Sequence, residues 1–291
     1  MSPQPERTNL KLALPKGRMQ DGVFRLLADA GIRIQTGARG YRPSVAFEGI
    51  EAKILKPQTI VEMLHVGSRD VGFAGADWVA ELDGRLVELL DTGLDPVRLV
   101  AAAPAGLFEN GELPGRPLVV ASEYERLTGA WMERRGLEAT FVRSFGATEV
   151  FPPEDADVIV DNTATGQTLE ANGLRIFDEL MRSSTRMYAS PRALDDPDRR
   201  GALERLVMLV RGVVDARGRV LVEANVPADR LEAVIAALPC MREPTVAPLH
   251  GGAGYAVKAA VPRADLARVI PEIKARGASD ILVTAPSQIV A

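Results

Sequence analysis

Short apolar runs alternate with segments of helical periodicity along the first part of the chain. Residues 10–14, 50–55, 70–74, 97–103, 117–121, 139–142 and 157–161 read as strands, and amphipathic stretches near 19–30, 57–66 and 123–136 read as helices. That order predicts an α/β fold with largely parallel sheets, whose ligands sit in loops at the carboxyl ends of the strands. Pro104, Gly106, Gly111, Pro114, Gly115 and Pro117 then crowd one segment, as where a chain leaves one compact unit for another. Two short strand candidates within 174–190 would carry it back. The expectation is a discontinuous first lobe (1–103 and 181–216), a second lobe (104–180) and a cleft between them. Residues 194–216, with Leu194, Leu203, Leu206, Val207 and Val210, fit one amphipathic helix. The remainder, 217–291, reads strand (219–225), helix (228–237), strand (245–249), strand (254–261), helix (263–275), strand (280–284), the βαββαβ order of a ferredoxin-like module.

Composition narrows the chemistry. A chain of 291 residues, 46% hydrophobic and 25% charged, has the make-up of a globular protein large enough for two or three domains. Cys240 stands alone, and His65 and His250 are isolated, so neither a disulfide nor a transition-metal site is expected. A net charge of −4 and 5% aromatic residues provide neither the footprint nor the stacking surface for nucleic acid. The polar start and the lack of a long apolar run point to a cytoplasmic protein without membrane association. An anionic ligand would have to be held by local positive groups.

The richest stretch is Asp157-Val-Ile-Val-Asp-Asn-Thr-Ala-Thr-Gly-Gln-Thr-Leu-Glu-Ala-Asn-Gly173, a buried strand that opens into a loop of small and hydroxylated residues. Such a loop can turn several N–H groups toward one anion. Thr165 and Thr168 add hydroxyls, Gly166 permits close approach, and a following helix would add its positive end. Asp161, at the strand end, is placed to meet a ribose hydroxyl or a magnesium-bound water. The plainer alternative is a joint whose threonines only cap the helix. Near the start, Lys16-Gly17-Arg18 follows a strand and precedes a helix, placing two cations where a pyrophosphate could be met, or simply two solvated turn residues. Asp70-Val-Gly-Phe-Ala-Gly-Ala-Asp77 repeats the strand–glycine–acid theme, with Asp77 read as a helix N-cap first and a ligand contact second. Its G-x-x-G spacing lacks the third glycine of a dinucleotide fingerprint. Lys56 reads as a surface residue or a phosphate contact from the rim, and Tyr124 as a packing residue or a purine platform.

Taken together, Leu12-Ala-Leu-Pro-Lys-Gly-Arg18, Asp70-Val-Gly-Phe-Ala-Gly-Ala-Asp-Trp78 and Asp161-Asn-Thr-Ala-Thr-Gly-Gln-Thr-Leu-Glu-Ala-Asn-Gly-Leu174 resemble the long form of ATP phosphoribosyltransferase, the enzyme that opens histidine biosynthesis. Asn225-Val-Pro227, Pro244-Thr-Val-Ala-Pro-Leu249 and Gly277-Ala-Ser-Asp-Ile-Leu-Val283 resemble its C-terminal domain. The resemblance implies a bilobed catalytic core like type II periplasmic binding proteins and an ACT-like regulatory domain. It also implies magnesium dependence, inhibition by histidine, and homodimers that associate into homohexamers. On that basis the ribose 5-phosphate falls to the loop Thr165-Gly166-Gln167-Thr168, with Thr163 and Ala164 also among the substrate-binding residues, and the ribose hydroxyls to Asp161 and Glu149. Pyrophosphate with magnesium falls to Lys16, Gly17 and Arg18, the ATP side to Asp77 and Tyr124, and histidine sensing to Asn225 and Thr245. Acids stand near Glu149 where the family has glycine, Lys56 replaces a common arginine, and Glu125 a frequent proline. A non-catalytic nucleotide-binding or amino-acid-sensing paralogue is the alternative that those departures allow.

Overall fold

The structure, a computed structural model, describes residues 9–37 and 40–290. Residues 1–8, which carry most of the polar start, lie outside it. In chain order the elements begin with β1 (Leu10–Pro15), α1 (Arg18–Asp29), β2 (Ile34–Gln35), β3 (Ser44–Val45), β4 (Ile50–Leu55), α2 (Pro57–His65), β5 (Val71–Gly75), α3 (Ala76–Glu81) and β6 (Val87–Pro104). They continue with β7 (Leu118–Ser122), α4 (Glu125–Arg134), β8 (Ala139–Arg143), β9 (Val158–Thr163), α5 (Gln167–Ala171), β10 (Leu174–Ala189), α6 (Pro191–Asp195) and α7 (Pro197–Arg217). The tail supplies β11 (Arg219–Val226), α8 (Leu231–Ile235), β12 (Thr245–Pro248), β13 (Tyr255–Pro262), α9 (Leu266–Ala275) and β14 (Ser279–Thr284). Two compact units result: one takes the residues up to Arg25 with Ile32–Arg205, the other Leu26–Gly31 with Leu206 onward.

The first unit is built on an eight-stranded sheet of order β4-β1-β5-β10-β6-β9-β7-β8. Its two ends are parallel: β1 with β4 and β5, and β7 with β8 and β9. Between them run two long strands, β6 of 18 residues and β10 of 16, antiparallel to each other and to their outer neighbours. The sheet is therefore mixed rather than largely parallel. The apolar segment 97–103 is only the buried half of β6, and the two short candidates within 174–190 are one continuous β10. Alternation is blurred there by register shifts between Ile176 and Asp178 and at four further points. Two parallel halves joined by two crossing strands are the periplasmic-binding-protein-like arrangement of type II.

Each half has its own core. Ala13, Ile60, Val61, Leu64, Ala74 and Tyr188 pack on one side, while Leu99, Val120, Tyr124, Trp131, Val158 and Val160 pack on the other. Trp78, partly buried, packs against both clusters. Gly72 of β5 has a packing reason: a Cβ there would come within 2.8 Å of Ile60 and 3.0 Å of Ala13. The helix foreseen over 194–216 is broken. Asp196 is extended (φ −87°, ψ 116°), because Pro197 disfavours a helical residue before it, and α7 starts afresh at that proline.

The second unit carries a four-stranded antiparallel sheet of order β12-β13-β11-β14. Counted within the module that is 2-3-1-4, the ferredoxin-like order. Alternation in β11 buries Val220, Val222, Ala224 and Val226 with Val257, Val261, Val269 and Ile273, leaving the other face of the sheet to Glu223, Asn225 and Lys258. The helix expected over 228–237 is a short 3-10 turn followed by α8. Ile273, fully buried in α9, is central to this core. Ile273→Ala should lower the stability of this unit by about 2–5 kcal/mol, read as an earlier transition in denaturant.

Candidate active site

Three strand ends of the first unit supply the site. β1 ends at Pro15, and Lys16, Gly17 and Arg18 follow as exposed residues at the start of α1. The Lys16 N–H donates to the Leu55 carbonyl at 2.8 Å, and its Nζ donates to the Tyr41 hydroxyl at 3.0 Å. β9 ends in Asp161, Asn162 and Thr163 and gives way to a loop in which Ala164, Thr165, Gln167 and Thr168 are exposed. Gly166 turns this loop at φ +91°, a conformation that a side chain would strain.

Within the loop the Gly166 N–H donates to Thr163 Oγ1 at 2.9 Å, and the Gln167 N–H to Thr165 Oγ1 at 3.3 Å. The N-cap of α5 is Gly166, without a side-chain cap, so these two hydroxyl oxygens brace the loop that leads into the helix. The hydroxyl protons of Thr163 and Thr165 remain donors, and Thr168 stands exposed beside them. α5 has only five residues, so the dipole expected of the following helix is short, and anion binding here rests on the loop's own N–H and O–H groups.

Asp161 is where the pieces meet. Burial pushes its carboxyl up to about 6, with the charges of Glu149 and Glu123 adding to the shift, while the Asn162 N–H, donating at 2.7 Å, and the Arg18 guanidinium act against it. Four side chains from four parts of the chain therefore share one electrostatic neighbourhood: Arg18 after β1, Glu123 after β7, Glu149 on a 3-10 turn, and Asp161 on β9. Sequence reasoning had picked Arg18, Glu149 and Asp161 and missed Glu123, whose only signal was its place one residue beyond a strand end.

Asp77 and Tyr124 depart from expectation. The N-cap of α3 is Gly75, not Asp77; Asp77 lies in the first turn and is buried, at 5% exposure. Its Oδ1 accepts from the Ser183 hydroxyl at 2.7 Å and its Oδ2 from the Tyr124 hydroxyl at 2.6 Å. Ser183 Oγ in turn accepts the Asp77 N–H at 3.0 Å. Tyr124 is completely buried and stacks on Trp78, with ring centroids 4.6 Å apart, so it is a packing residue with no open face for a purine. The Asn162 amide donates to its hydroxyl at 2.9 Å. Burial, and then the Asp77 carboxylate, push the Tyr124 hydroxyl far above its ordinary range, which keeps it a donor. Glu81 continues the theme at the other end of α3, accepting the N–H groups of Arg126 and Leu127 at 2.9 and 3.0 Å and so capping α4. Gly75 is also explained, since a Cβ there would collide with the Asp77 carboxylate.

A narrow crevice of about 60 Å³ lies among Arg18, Asp77, Trp78, Asn162 and Ser183. A wider open depression of about 670 Å³ is lined by Lys16, Gln20, Thr36, Gly37, Gly40, Tyr41 and Ile54. Lys56 is exposed at the N-cap of α2. The described residues hold no group of three or more His, Cys, Asp or Glu side chains suited to a metal ion. In the second unit, Asn225 and Thr245 lie on the same face of the sheet by strand alternation, away from the buried valines, and the Asn225 amide donates to Asp280 at 3.0 Å. No helix among the described residues is long and apolar enough to cross a membrane.

Comparison with known proteins shows the family of the chain. The family profile of ATP phosphoribosyltransferase matches residues 56–212, and that of the HisG C-terminal domain matches residues 216–286. The ATP phosphoribosyltransferase of Chlorobium phaeovibrioides is 35% identical over 279 residues, covering 94% of each chain. That of Pelotomaculum thermopropionicum is 35% identical over 280 residues, covering 94% of this chain and 96% of its own. Among solved structures, the ATP phosphoribosyl transferase (HisG:HisZ) complex from Thermotoga maritima superposes with a TM-score of 0.61 at 26% identity, matching 98% of that chain but 69% of this one. What that shorter chain leaves unmatched leaves room for the additional C-terminal domain. Two profiles in tandem and relatives similar from end to end lead to one conclusion: the chain belongs to the ATP phosphoribosyltransferase family, in its long form, and is a glycosyltransferase of that kind.

Proposed function

We propose that the protein condenses ATP with 5-phosphoribosyl 1-pyrophosphate, giving N1-(5-phosphoribosyl)-ATP and pyrophosphate, as the first step of histidine biosynthesis. The observation that carries this reading is the convergence of Arg18, Glu149 and Asp161 beside the Thr163–Thr168 loop, in which Ala164, Thr165, Gln167 and Thr168 are exposed. Adenine N1 forms a bond to C1 of the ribose as the C1–O bond breaks, and the electron pair leaves with pyrophosphate. The protein needs no nucleophile. It has to align two polyanions, stabilise a cationic sugar and accept a departing anion.

Each residue then has a task. Thr163, Ala164, Thr165, Gly166, Gln167 and Thr168 hold the 5-phosphate through N–H and O–H donors. Asp161, with Glu149, accepts from the ribose hydroxyls and sets negative charge near the developing cation. Lys16 and Arg18, flanking Gly17, face the pyrophosphate. Asp77 and Tyr124 serve the site as the scaffold beneath it, and Asn162 ties that scaffold to Asp161's strand. Magnesium would enter this site on the substrate's phosphates, with Asp161 and Glu149 as the acids that would hold it there. Bound there, it supplies charge neutralisation to the leaving pyrophosphate. The second unit would sense histidine through the face that carries Asn225 and Thr245, and homodimers would associate into homohexamers.

The reaction is tested by pyrophosphate release from ATP, 5-phosphoribosyl 1-pyrophosphate and magnesium. Release should need both substrates; folded protein that binds them without releasing pyrophosphate would instead be a non-catalytic paralogue. Histidine should suppress release, and Asn225→Ala or Thr245→Ala should weaken that suppression at least severalfold with little change in the uninhibited rate. Suppression unchanged in both variants would remove those residues from the pocket.

Asp161 makes a paired prediction. Its folded value of about 6 lies above the ordinary 3.8, so ionising it costs stability as pH rises through that window, and the cost is fully present above pH 6. Asp161→Asn should therefore stabilise the protein by roughly 1–3 kcal/mol at pH 8 and by little at pH 4. The same change should lower kcat/KM for 5-phosphoribosyl 1-pyrophosphate by about a hundredfold. In the unsubstituted enzyme, kcat/KM should fall as pH drops below about 6, where the carboxylate takes up a proton.

A further inference from the structure

The Lys16–Tyr41 pair has an arrangement that the assignments above leave unexplained. Tyr41 is 58% exposed, yet its ring is held: Lys16 Nζ lies 4.9 Å from the ring centroid and donates to the hydroxyl at 3.0 Å. Both residues hang from one strand. The Ile54 N–H donates to the Tyr41 carbonyl at 3.0 Å, and the Lys16 N–H donates to the carbonyl of the next residue, Leu55, at 2.8 Å. β4 thus fixes the two backbones side by side, and the pair forms one wall of the 670 Å³ depression.

The donor balance of the pair identifies its ligand class. The tyrosine oxygen already accepts a hydrogen bond from the ammonium, so its own proton is free to be donated outward, and Lys16 keeps its remaining N–H donors. The neighbouring ammonium also lowers the Tyr41 hydroxyl below its ordinary value, which strengthens it as a donor. A wall that presents N–H and O–H donors and one positive charge suits a polyanion. Among the described residues Gln20, Thr36, Gly37, Gly40 and Ile54 line the rest, and none of them carries negative charge.

We infer that Tyr41 orients Lys16 and itself donates to the departing pyrophosphate that the proposed reaction places beside Lys16. This rests on the proposed reaction. In a displacement at C1 the entering and leaving groups occupy opposite faces of the ribose, so a depression that takes pyrophosphate beside Lys16 is closed to the adenine. With the 5-phosphate on the Thr163–Thr168 loop and the ribose against Asp161, Lys16 and Tyr41 receive the remaining charged end of the substrate.

The test compares wild type with Tyr41→Phe and Tyr41→Leu, measuring pyrophosphate affinity in the presence of magnesium by calorimetry and, separately, KM for ATP. Tyr41→Phe keeps the ring under Lys16 and loses only the donor; pyrophosphate should bind it about tenfold more weakly, and Tyr41→Leu at least as weakly, while KM for ATP stays within twofold. Pyrophosphate binding within twofold of wild type in Tyr41→Phe, or a parallel rise in KM for ATP, would overturn the inference. Wild-type protein that binds pyrophosphate but never releases it from the two substrates would overturn the parent reaction, leaving an anion site without turnover.

Discussion

The site depends on one buried carboxyl. Asp77 reaches from the first turn of α3 and is satisfied by Ser183 on β10 and Tyr124 at the start of α4, and Tyr124 is in turn tied to Asn162 on β9. A buried carboxyl without partners would cost several kcal/mol, so the three elements can take only arrangements that deliver those donors. The consequence is positional. Once β9 is pinned through Asn162, its neighbour Asp161 is fixed opposite the β1–α1 turn, where Arg18 acts on it. Glu81, capping α4 from the far end of α3, makes the same junction twice over.

This frame explains how a chain of net charge −4 can serve two polyanionic substrates. The positive groups are few and local, at Lys16 and Arg18, and the loop after β9 contributes dipoles rather than charge. Burial, with the charges of Glu149 and Glu123 adding to it, holds the Asp161 carboxyl at about 6. An enzyme that stabilises a cationic sugar gains from that concentration of negative charge, and the folded protein bears its cost in stability.

Much of this was legible in the sequence because the signals were local. The strand–loop–helix stretch around Asp161, the Lys-Gly-Arg turn and each successive element of the βαββαβ tail fall within short windows, where periodicity and turn chemistry decide the structure. What escaped was set by distant partners. The mixed sheet arises because β6 and β10 pair with each other across 70 and more residues, which no window sees. Tyr124 reads as a packing residue with a purine platform as the alternative, and only its contacts with Trp78 and Asp77 decide for packing. Ser183 carries no motif, and its partner Asp77 lies 106 residues away. Tyr41 carried no motif, and its meaning came only from sharing β4 with Lys16.

The most direct measurement is the crystal structure of the protein with 5-phosphoribosyl 1-pyrophosphate bound. The account predicts the 5-phosphate on the Thr163–Thr168 loop, the ribose hydroxyls on Asp161, and the pyrophosphate toward Lys16, Arg18 and Tyr41. A ligand bound in the reverse sense, with pyrophosphate in the loop, or held away from Asp161 altogether, would contradict it.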